Sequence, residues 1–190
     1  TKMTVFRNWD HSDADHICIA CVPEKLETLD LADAGNCTIR SGLTGHLFIK
    51  FVRFSTAITC IEYEAFTDCV MLQRCEIALP RPPLVLPSVR VDKSAFAGCV
   101  SLAAFPFKYV YTIDAMAFQG CCQLKEAECT HEWLTHICRF AFKGCKTLAK
   151  VTFGKNIEII GMSAFENCLC LSGDVVLDKK VRQISSCAFF

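Results

Sequence analysis

The sequence predicts an α/β repeat solenoid of about seven coils, with a parallel β-sheet on its concave face and short helical or 3-10 turns on its convex face. Two observations predict this fold. The dipeptide Ala-Phe recurs at nearly constant spacing, and an alternating apolar segment of strand length follows each complete copy. Of the 190 residues, 52% are hydrophobic and 21% are charged, a composition that can fill a continuous core.

The Ala-Phe dipeptide marks one position of the repeat. It begins at residues 65, 95, 117, 141, 164 and 188, so successive copies are 30, 22, 24, 23 and 24 residues apart. A β-branched residue lies four positions before each Ala. In each of the first five copies a Cys lies three positions after the Phe and a Leu lies six after it. The Ala-Phe segment has the spacing of a single turn, which favours a short helix or 3-10 turn on the convex side.

Each of these Leu residues opens a segment with inward-facing apolar positions, as in the stretch from Leu148 to Phe153. Alternation with a period of two is typical of a short strand with one buried face. Two similar segments lie upstream, giving seven predicted strands with second inward positions at residues 31, 54, 77, 107, 129, 153 and 177. The rest of each coil returns the chain so that the next strand stacks beside the last, and only this stacking buries the apolar faces.

This spacing, Ile-x-x-x-Ala-Phe-x-x-Cys-x-x-Leu-x-x-Ile-x-Ile, resembles the BspA-like, or treponemal-type, leucine-rich-repeat family. The copy from Ile160 to Leu171 matches it closely, and the resemblance covers about residues 26–190. The resemblance implies a leucine-rich-repeat arc that serves in surface adhesion or protein binding. It carries over no catalytic residue.

Two stretches depart from the repeat. Residues 1–25 predict an atypical N-terminal cap, followed by a repeat array over residues 26–190. Residues 79–87 add about seven residues and contain four prolines, which cannot continue a ladder or a helix. We interpret this insertion as a stiff extended loop. It is either a tolerated surface insertion or a partner contact through Arg81 and Leu84.

The N-terminal stretch contains Cys18 and Cys21 at the spacing of a metal knuckle, with His16 nearby. A second pair of ligands is missing, because the nearest candidates, Cys37 and His46, are single residues. A structural cap is therefore favoured over a metal site or a redox dithiol.

No residue pattern predicts an enzyme. His131 and His136 are five residues apart, off the i, i+4 spacing of helical ligands, and are interpreted as surface-loop histidines on either side of Trp133. No nucleophile is singled out beside a base, and no glycine-rich phosphate loop is present. We expect no catalytic residue, no cofactor and no metal. A net charge of zero offers no basic excess for nucleic acid, and no apolar run is long enough to span a membrane.

The 15 cysteines are an odd number, and five of them occupy one repeat position. Equivalent thiols on successive coils have no unique pairing, so free buried thiols are expected there. Cys75 and Cys129 replace apolar strand residues, which favours the same interpretation. Many unpaired thiols are typical of a reducing compartment, so we predict an intracellular or organellar location. A cell-surface location is the alternative that fits the adhesins of the family.

The predicted partner-binding residues lie on two surfaces besides the proline-rich insertion. One is the outward face of the predicted sheet, with Arg53, Arg74, Glu76, Glu126, Glu128 and Lys150. The other is the apolar end at Phe189 and Phe190, where no capping sequence follows the sixth Ala-Phe and a neighbour is expected. We therefore expect a protein–protein interaction or scaffold module, such as an accessory subunit of a multi-subunit complex. The alternative is a BspA-like surface adhesin that binds extracellular or host proteins.

Overall fold

The structure, a computed structural model, describes residues 2–4, 16–17, 22–35, 37–40, 42–79, 87–172 and 175–190. These residues form a solenoid of short parallel strands. The strands are β1 (Lys2–Thr4), β2 (His16–Ile17), β3 (Thr28–Asp30), β4 (Cys37–Ile39), β5 (Phe51–Phe54), β6 (Ile58–Ile61), β7 (Arg74–Ile77), β8 (Val89–Val91), β9 (Val110–Ile113), β10 (Glu126–Cys129), β11 (His136–Ile137), β12 (Lys150–Phe153), β13 (Ile159–Ile160) and β14 (Gln183–Ile184).

The strands build two sheets, the first of them divided into two separately hydrogen-bonded parts, and every pair is parallel. The first sheet is the one that the sequence predicts, and it consists of β1, β3, β5 and β7, followed by a separate pair, β10 and β12. A second sheet, which the sequence analysis missed, contains β2, β4, β6, β8, β9, β11, β13 and β14 among the described residues. It is formed by the β-branched residues that precede each Ala-Phe, such as Ile61 and Ile137, which are buried. Six coils carry the Ala-Phe segment, so the solenoid has about six turns where about seven coils were predicted.

Aromatic rings fill the interior as a continuous stack. Neighbouring ring centroids are 5.1–5.5 Å apart and their planes lie within 3–8° of each other. The stack contains Phe66, Phe96, Phe118, Phe142, Phe165 and Phe189. The Leu that follows each of the first four Cys residues of the repeat is also fully buried. Each coil thus supplies one ring and one aliphatic side chain to a core that its neighbours complete.

The predicted helical convex face is wrong, since the described residues contain no α-helix and their one 3-10 helix, Phe107–Tyr109, lies elsewhere. In the Ala-Phe segment, backbone N–H groups bond alternately within the coil and to the next coil. Ala65 N–H donates to Glu62 O at 3.2 Å, whereas Phe66 N–H donates to Ala95 O at 2.8 Å. Two residues per coil have left-handed backbone, as at Glu64 (φ 55°) and Asp68 (φ 56°). This alternation directs half of the N–H donors to the neighbouring coil. An α-helix cannot do this, because its backbone N–H groups bond within the helix.

The first sheet is interrupted in the coil that carries Phe105 and Phe107. Ala104 makes only an isolated bridge to Arg74, and Phe107, the second inward position of the predicted strand, begins the 3-10 helix. Pro106 has no N–H to give to a ladder. Phe107 packs instead against the rings of Phe118 and Phe142, with centroid distances of 4.8 and 5.6 Å. The predicted strand that ends at residue 177 is also absent from the described residues, which contain no strand between 175 and 182.

The N-terminal stretch contributes to both sheets. β1 pairs with β3, and β2 pairs with β4. The boundary of the predicted cap stays a prediction, and the Cys18 and Cys21 pair lies outside the described residues. His46 is used structurally, because its Nδ1 accepts the N–H groups of Phe48 and Ile49 while its Nε2 faces Pro23 O at 3.2 Å.

Candidate functional site

One part of the first sheet carries charges that neutralise each other. Glu76 on β7 contacts Arg53 of the neighbouring strand, with Nε–Oε1 at 3.4 Å, and Arg74 of its own strand, with Nη2–Oε2 at 3.2 Å. Lys50 and Glu27 form a further ion pair at 2.9 Å across adjacent coils, which lowers the pKa of Glu27. The predicted residues Arg53, Arg74 and Glu76 are therefore brought together as one ion-pair cluster.

The other part of the first sheet carries two carboxylates that have no ion-pair partner among the described residues. Glu126 and Glu128 alternate with the buried Ala127 and Cys129 along β10, so both carboxylates are exposed on one face. Within the described residues neither has an ion-pair partner within 4.0 Å, although the exposed Lys150 lies beside Glu126 in the strand register. We call Glu126 and Glu128 the acidic pair.

A cleft opens beside the acidic pair where the sheet is interrupted. It has a volume of about 350 Å³ and is lined by residues 103–108 together with Lys125, Glu126 and Glu128. In the part of the chain that the structure describes, no backbone N–H of residues 125–129 bonds to residues 103–108. The edge of β10 that faces the cleft is therefore a sheet edge without a backbone partner among the described residues.

A second cluster lies at the corner between β10 and β11. The rings of Tyr111, His131 and Trp133 contact each other with centroid distances of 5.6–6.4 Å, and Trp133 is 63% exposed. Tyr111, His131, Glu132 and Trp133 are called the corner patch below. The sequence places His131 and Trp133 on a predicted surface loop but gives no sign of Tyr111, which comes from another coil.

Hydrogen bonds fix the imidazole of His131. Its Nδ1 accepts the backbone N–H of Trp133 at 3.2 Å, and its Nε2 lies 3.1 Å from Ser88 Oγ. Because Nδ1 is an acceptor, the neutral ring carries its proton on Nε2 and donates it to Ser88. Burial lowers the pKa of His131, which keeps the ring neutral at pH 7. Ser88 follows Pro87, the buried last residue of the proline-rich insertion, whose predicted contacts Arg81 and Leu84 lie outside the described residues.

The predicted apolar end is exposed in the structure. Phe189 stacks on Phe165 with its outer side open and is 38% exposed, while Phe190 is 84% exposed. A cleft of about 330 Å³, lined partly by Phe189, Phe190 and Leu171, lies beside them. Both predicted residues therefore border one apolar surface.

The five repeat cysteines are free and form a thiol ladder. Each Sγ donates to a main-chain oxygen of the preceding coil at 2.9–3.3 Å, and the five residues are Cys69, Cys99, Cys121, Cys145 and Cys168. Burial raises the pKa of all five, in Cys69 and Cys168 to about 12. Such thiols stay protonated and unreactive at neutral pH. By contrast, Cys170 and Cys187 are exposed.

A model of the BspA-type leucine-rich repeat region matches residues 84–190 in six copies. The chain belongs to the BspA-type leucine-rich-repeat family. No curated protein matches it significantly. Among the described residues no group of three or more His, Cys, Asp or Glu could hold a metal ion, and no helix has the length and apolar character to cross a membrane.

Solved structures share the BspA-type fold at low sequence identity. A leucine-rich cell surface protein from Faecalibacterium prausnitzii has a TM-score of 0.67 at 21% identity over 96% of this chain and 43% of its own. A Treponema pallidum leucine-rich repeat protein has a TM-score of 0.53 at 21% identity over 85% and 86%. A leucine-rich repeat protein from Bacteroides ovatus has a TM-score of 0.54 at 16% identity over 96% and 53%. The BspA-type chain thus spans less than half of the Faecalibacterium protein.

Proposed function

We propose that this chain is a non-enzymatic protein-interaction module whose partner binds the first sheet at the cleft beside the acidic pair. Members of the family are typically non-enzymatic binding modules. The observation that carries the proposal is that two carboxylates without an ion-pair partner lie next to a strand edge without a backbone partner, both within the described residues. A partner segment with basic side chains would satisfy the carboxylates, and its main chain would satisfy the edge of β10.

The remainder of the first sheet supports this choice of site. Its charges form ion pairs within the chain, at Glu76 with Arg53 and Arg74 and at Lys50 with Glu27. A partner would gain little there, because exposed charges that already have partners contribute little to binding. Because Lys150 lies next to the acidic pair and offsets part of its negative charge, the partner segment needs only a modest positive charge.

Site-specific photocrosslinking in the native cell tests the proposal. A photoreactive amino acid at Ala104, at the mouth of the cleft, should capture a discrete partner that the same amino acid at the exposed Lys146 does not capture. Glu126→Lys with Glu128→Lys should then weaken the affinity for that partner at least about tenfold, because two attractive charges become repulsive. Glu27→Lys is the matched charge reversal in the part of the sheet whose charges form ion pairs, and it should change this affinity by less than about threefold. Unchanged affinity in the double variant would refute the cleft as the binding site.

We further propose that the protein works in a reducing compartment, intracellular or organellar. The thiol ladder supports this, since a cysteine in a disulfide has no S–H to donate and each of the five thiols is a donor. The alternative is a surface adhesin, which the cell-surface Faecalibacterium relative favours. Alkylation of the protein directly in lysed cells, followed by peptide mapping, separates the two. Free Cys170 and Cys187 support the reducing compartment, and oxidised ones favour the surface.

We also propose that the chain is an accessory subunit of a larger assembly. The native mass of the full-length protein from its source should then exceed that of a single chain. A single-chain mass under native conditions would oppose this part of the proposal.

A further inference from the structure

We propose that the corner patch is a second binding site, separate from the first sheet, which takes the arginine side chain of a partner protein between the indole of Trp133 and the carboxylate of Glu132. The site does not depend on the acidic pair or on the cleft. Four observations carry it: the bulge that supplies Tyr111, the exposure of Trp133, the unpaired charge of Glu132 and the tautomer of His131.

A β-bulge brings Tyr111 to the patch. In the pairing of β8 with β9, Val89 lies opposite Val110 and Arg90 lies opposite Thr112, so Tyr111 is the extra residue of β9. Bulges redirect side chains and are common beside functional sites.

Trp133 is held in place while remaining largely exposed. Its ring meets Tyr111 at an interplanar angle of 80° and His131 at 61°, both edge-to-face arrangements, and 63% of the residue stays accessible. Edge-to-face packing restrains a ring without covering both of its faces. Tryptophan is the aromatic residue that binds cations best, and arginine stacks on it with its planar guanidinium.

Glu132, the residue before Trp133, supplies a negative charge that acts on His131 of the same patch. It is exposed, and among the described residues no basic group lies within 4.0 Å of its carboxylate. Its main-chain oxygen accepts a hydrogen bond from Asn156 Nδ2 at 2.7 Å, which ties this turn to the next coil. A carboxylate on the same turn as a restrained indole can accept two hydrogen bonds from a guanidinium that lies on the ring.

The neighbouring groups do not repel a cation. The hydrogen bonds of His131 to Trp133 and Ser88 require the neutral ring. Arg90, the cation on the adjoining strand β8, is already paired with Asp92 at 3.0 Å. The unbalanced charge within the patch is therefore that of Glu132. A cationic side chain suits it, whereas a carboxylate or phosphate would be repelled.

Titration with N-acetylarginine methylamide tests the site, with the neutral citrulline compound of the same shape as the matched probe. The indole N–H signal of Trp133 in a heteronuclear NMR spectrum should move on adding the arginine compound, with millimolar affinity. The citrulline compound should bind at least about fivefold more weakly, since it lacks the charge that a cation–π contact needs. The indole signal of Trp9 serves as a reference within the same molecule.

Variants connect the response to the patch. Glu132→Gln should weaken arginine binding about fivefold, and Tyr111→Ala should weaken it as well by releasing the indole. Glu24→Gln, which removes an exposed carboxylate elsewhere, should leave it unchanged. Equal binding of the two probes, or no effect of Glu132→Gln, overturns the proposal. The double reversal of the acidic pair should not alter this titration, so failure here and failure of the proposed function are distinguishable.

Discussion

At the scale of single residues, the thiol ladder shows why cysteine suits its repeat position. Cys121 is fully buried among apolar side chains, and its Sγ donates to Phe96 O at 3.3 Å. The same oxygen also accepts the N–H of Cys99 at 3.2 Å. The thiol is therefore a second donor to an oxygen that is already bonded, and it links two coils while filling the volume of a small apolar residue.

Replacing a ladder thiol should cost stability. Cys121→Ala removes both the packing volume and the coil-to-coil hydrogen bond, so the free energy of unfolding should fall by about 1–2 kcal/mol. Cys170→Ala changes an exposed thiol and should alter it by less than about 0.5 kcal/mol. Urea denaturation under reducing conditions measures both values. Equal effects of the two variants would show that the ladder contributes nothing specific.

His131 should make the stability of its corner depend on pH. Burial lowers its pKa in the folded protein, so the unfolded chain binds the proton more readily. The stabilisation is therefore fully present above the unfolded pKa of about 6.5 and is lost as the pH falls through the lower folded value. The facing groups are Glu132, Tyr111 and Ser88, and of these the carboxylate of Glu132 opposes the shift.

An NMR titration should give His131 a pKa below that of an unfolded peptide. The difference in unfolding free energy between the wild type and His131→Gln should grow as the pH rises from about 5 to 7.5. The exposed His136, replaced in the same way, is the control. A His131 pKa at or above the unfolded value would contradict the assigned tautomer.

At the scale of elements, the backbones of two neighbouring coils approach closely at Gly161, directly after β13. A Cβ atom there would lie 2.6 Å from Arg139 N and 2.8 Å from the carbonyl carbon of Cys138, and both are main-chain atoms that no rotamer change can move. Gly161 N–H also donates to Ile137 O at 2.8 Å. The second sheet therefore needs glycine at this position to keep its spacing.

Gly161→Ala should lower the free energy of unfolding by about 1–3 kcal/mol, the usual cost of overpacking. Gly35→Ala is the matched control, because nothing lies within 4 Å of a Cβ built there, and its effect should stay within about 0.5 kcal/mol. Thermal and urea denaturation of the two variants check the difference. If Gly161→Ala left the free energy of unfolding unchanged, the coils would be able to move apart at this point without loss of stability.

The elements also show what the sequence can predict. The first sheet was predictable because its inward residues repeat with clear spacing, whereas strands such as β11 and β13, of two residues each, are too short to show alternation. The spacing of the Ala-Phe segment suits a helix and a pair of turns equally well. The glycines at 98, 120 and 144, with φ near +75°, were the available sign of turns. Pro106 inside a predicted inner strand was a sign of the interruption.

The candidate sites were predictable to different degrees. Outward alternation identified the acidic pair on β10, and the structure leaves both carboxylates exposed beside the cleft. The cleft itself depends on where the strand pairing of the first sheet is interrupted. Only the packing of Phe105 and Phe107 reveals that position. The corner patch could not be predicted, because Tyr111 reaches Trp133 through a bulge, and a bulge shifts register without changing the spacing of the repeat.

At the scale of the whole molecule, the phenylalanine stack makes stability depend on position along the solenoid. Phe118 contacts the rings of Phe96 and Phe142 on its two sides and those of Phe105 and Phe107 as well. Phe189 contacts only the ring of Phe165 among the described residues. Coils in the middle therefore receive support from both directions, as nearest-neighbour coupling requires.

Phe118→Ala should lower the free energy of unfolding by about 3–5 kcal/mol, whereas Phe189→Ala should cost less than about 2 kcal/mol. Hydrogen exchange provides a second measurement. Phe118→Ala should accelerate exchange throughout the array, while Phe189→Ala should accelerate it only near residues 163–190. Similar losses in both variants would indicate that the stack does not couple the coils.

The interruption at Phe105 and Phe107 restricts which coils this repeat protein can gain or lose. Most coils are interchangeable, so the loss or duplication of one period leaves equivalent side chains in contact. Phe105 and Phe107, however, lie next to a coil whose inward strand residues are the small Ala127 and Cys129. Deleting residues 118–141 would place Val151 and Phe153 there instead, with too little room for four large side chains. These two coils are therefore expected to be inherited, duplicated or transplanted only as a unit, together with the cleft between them.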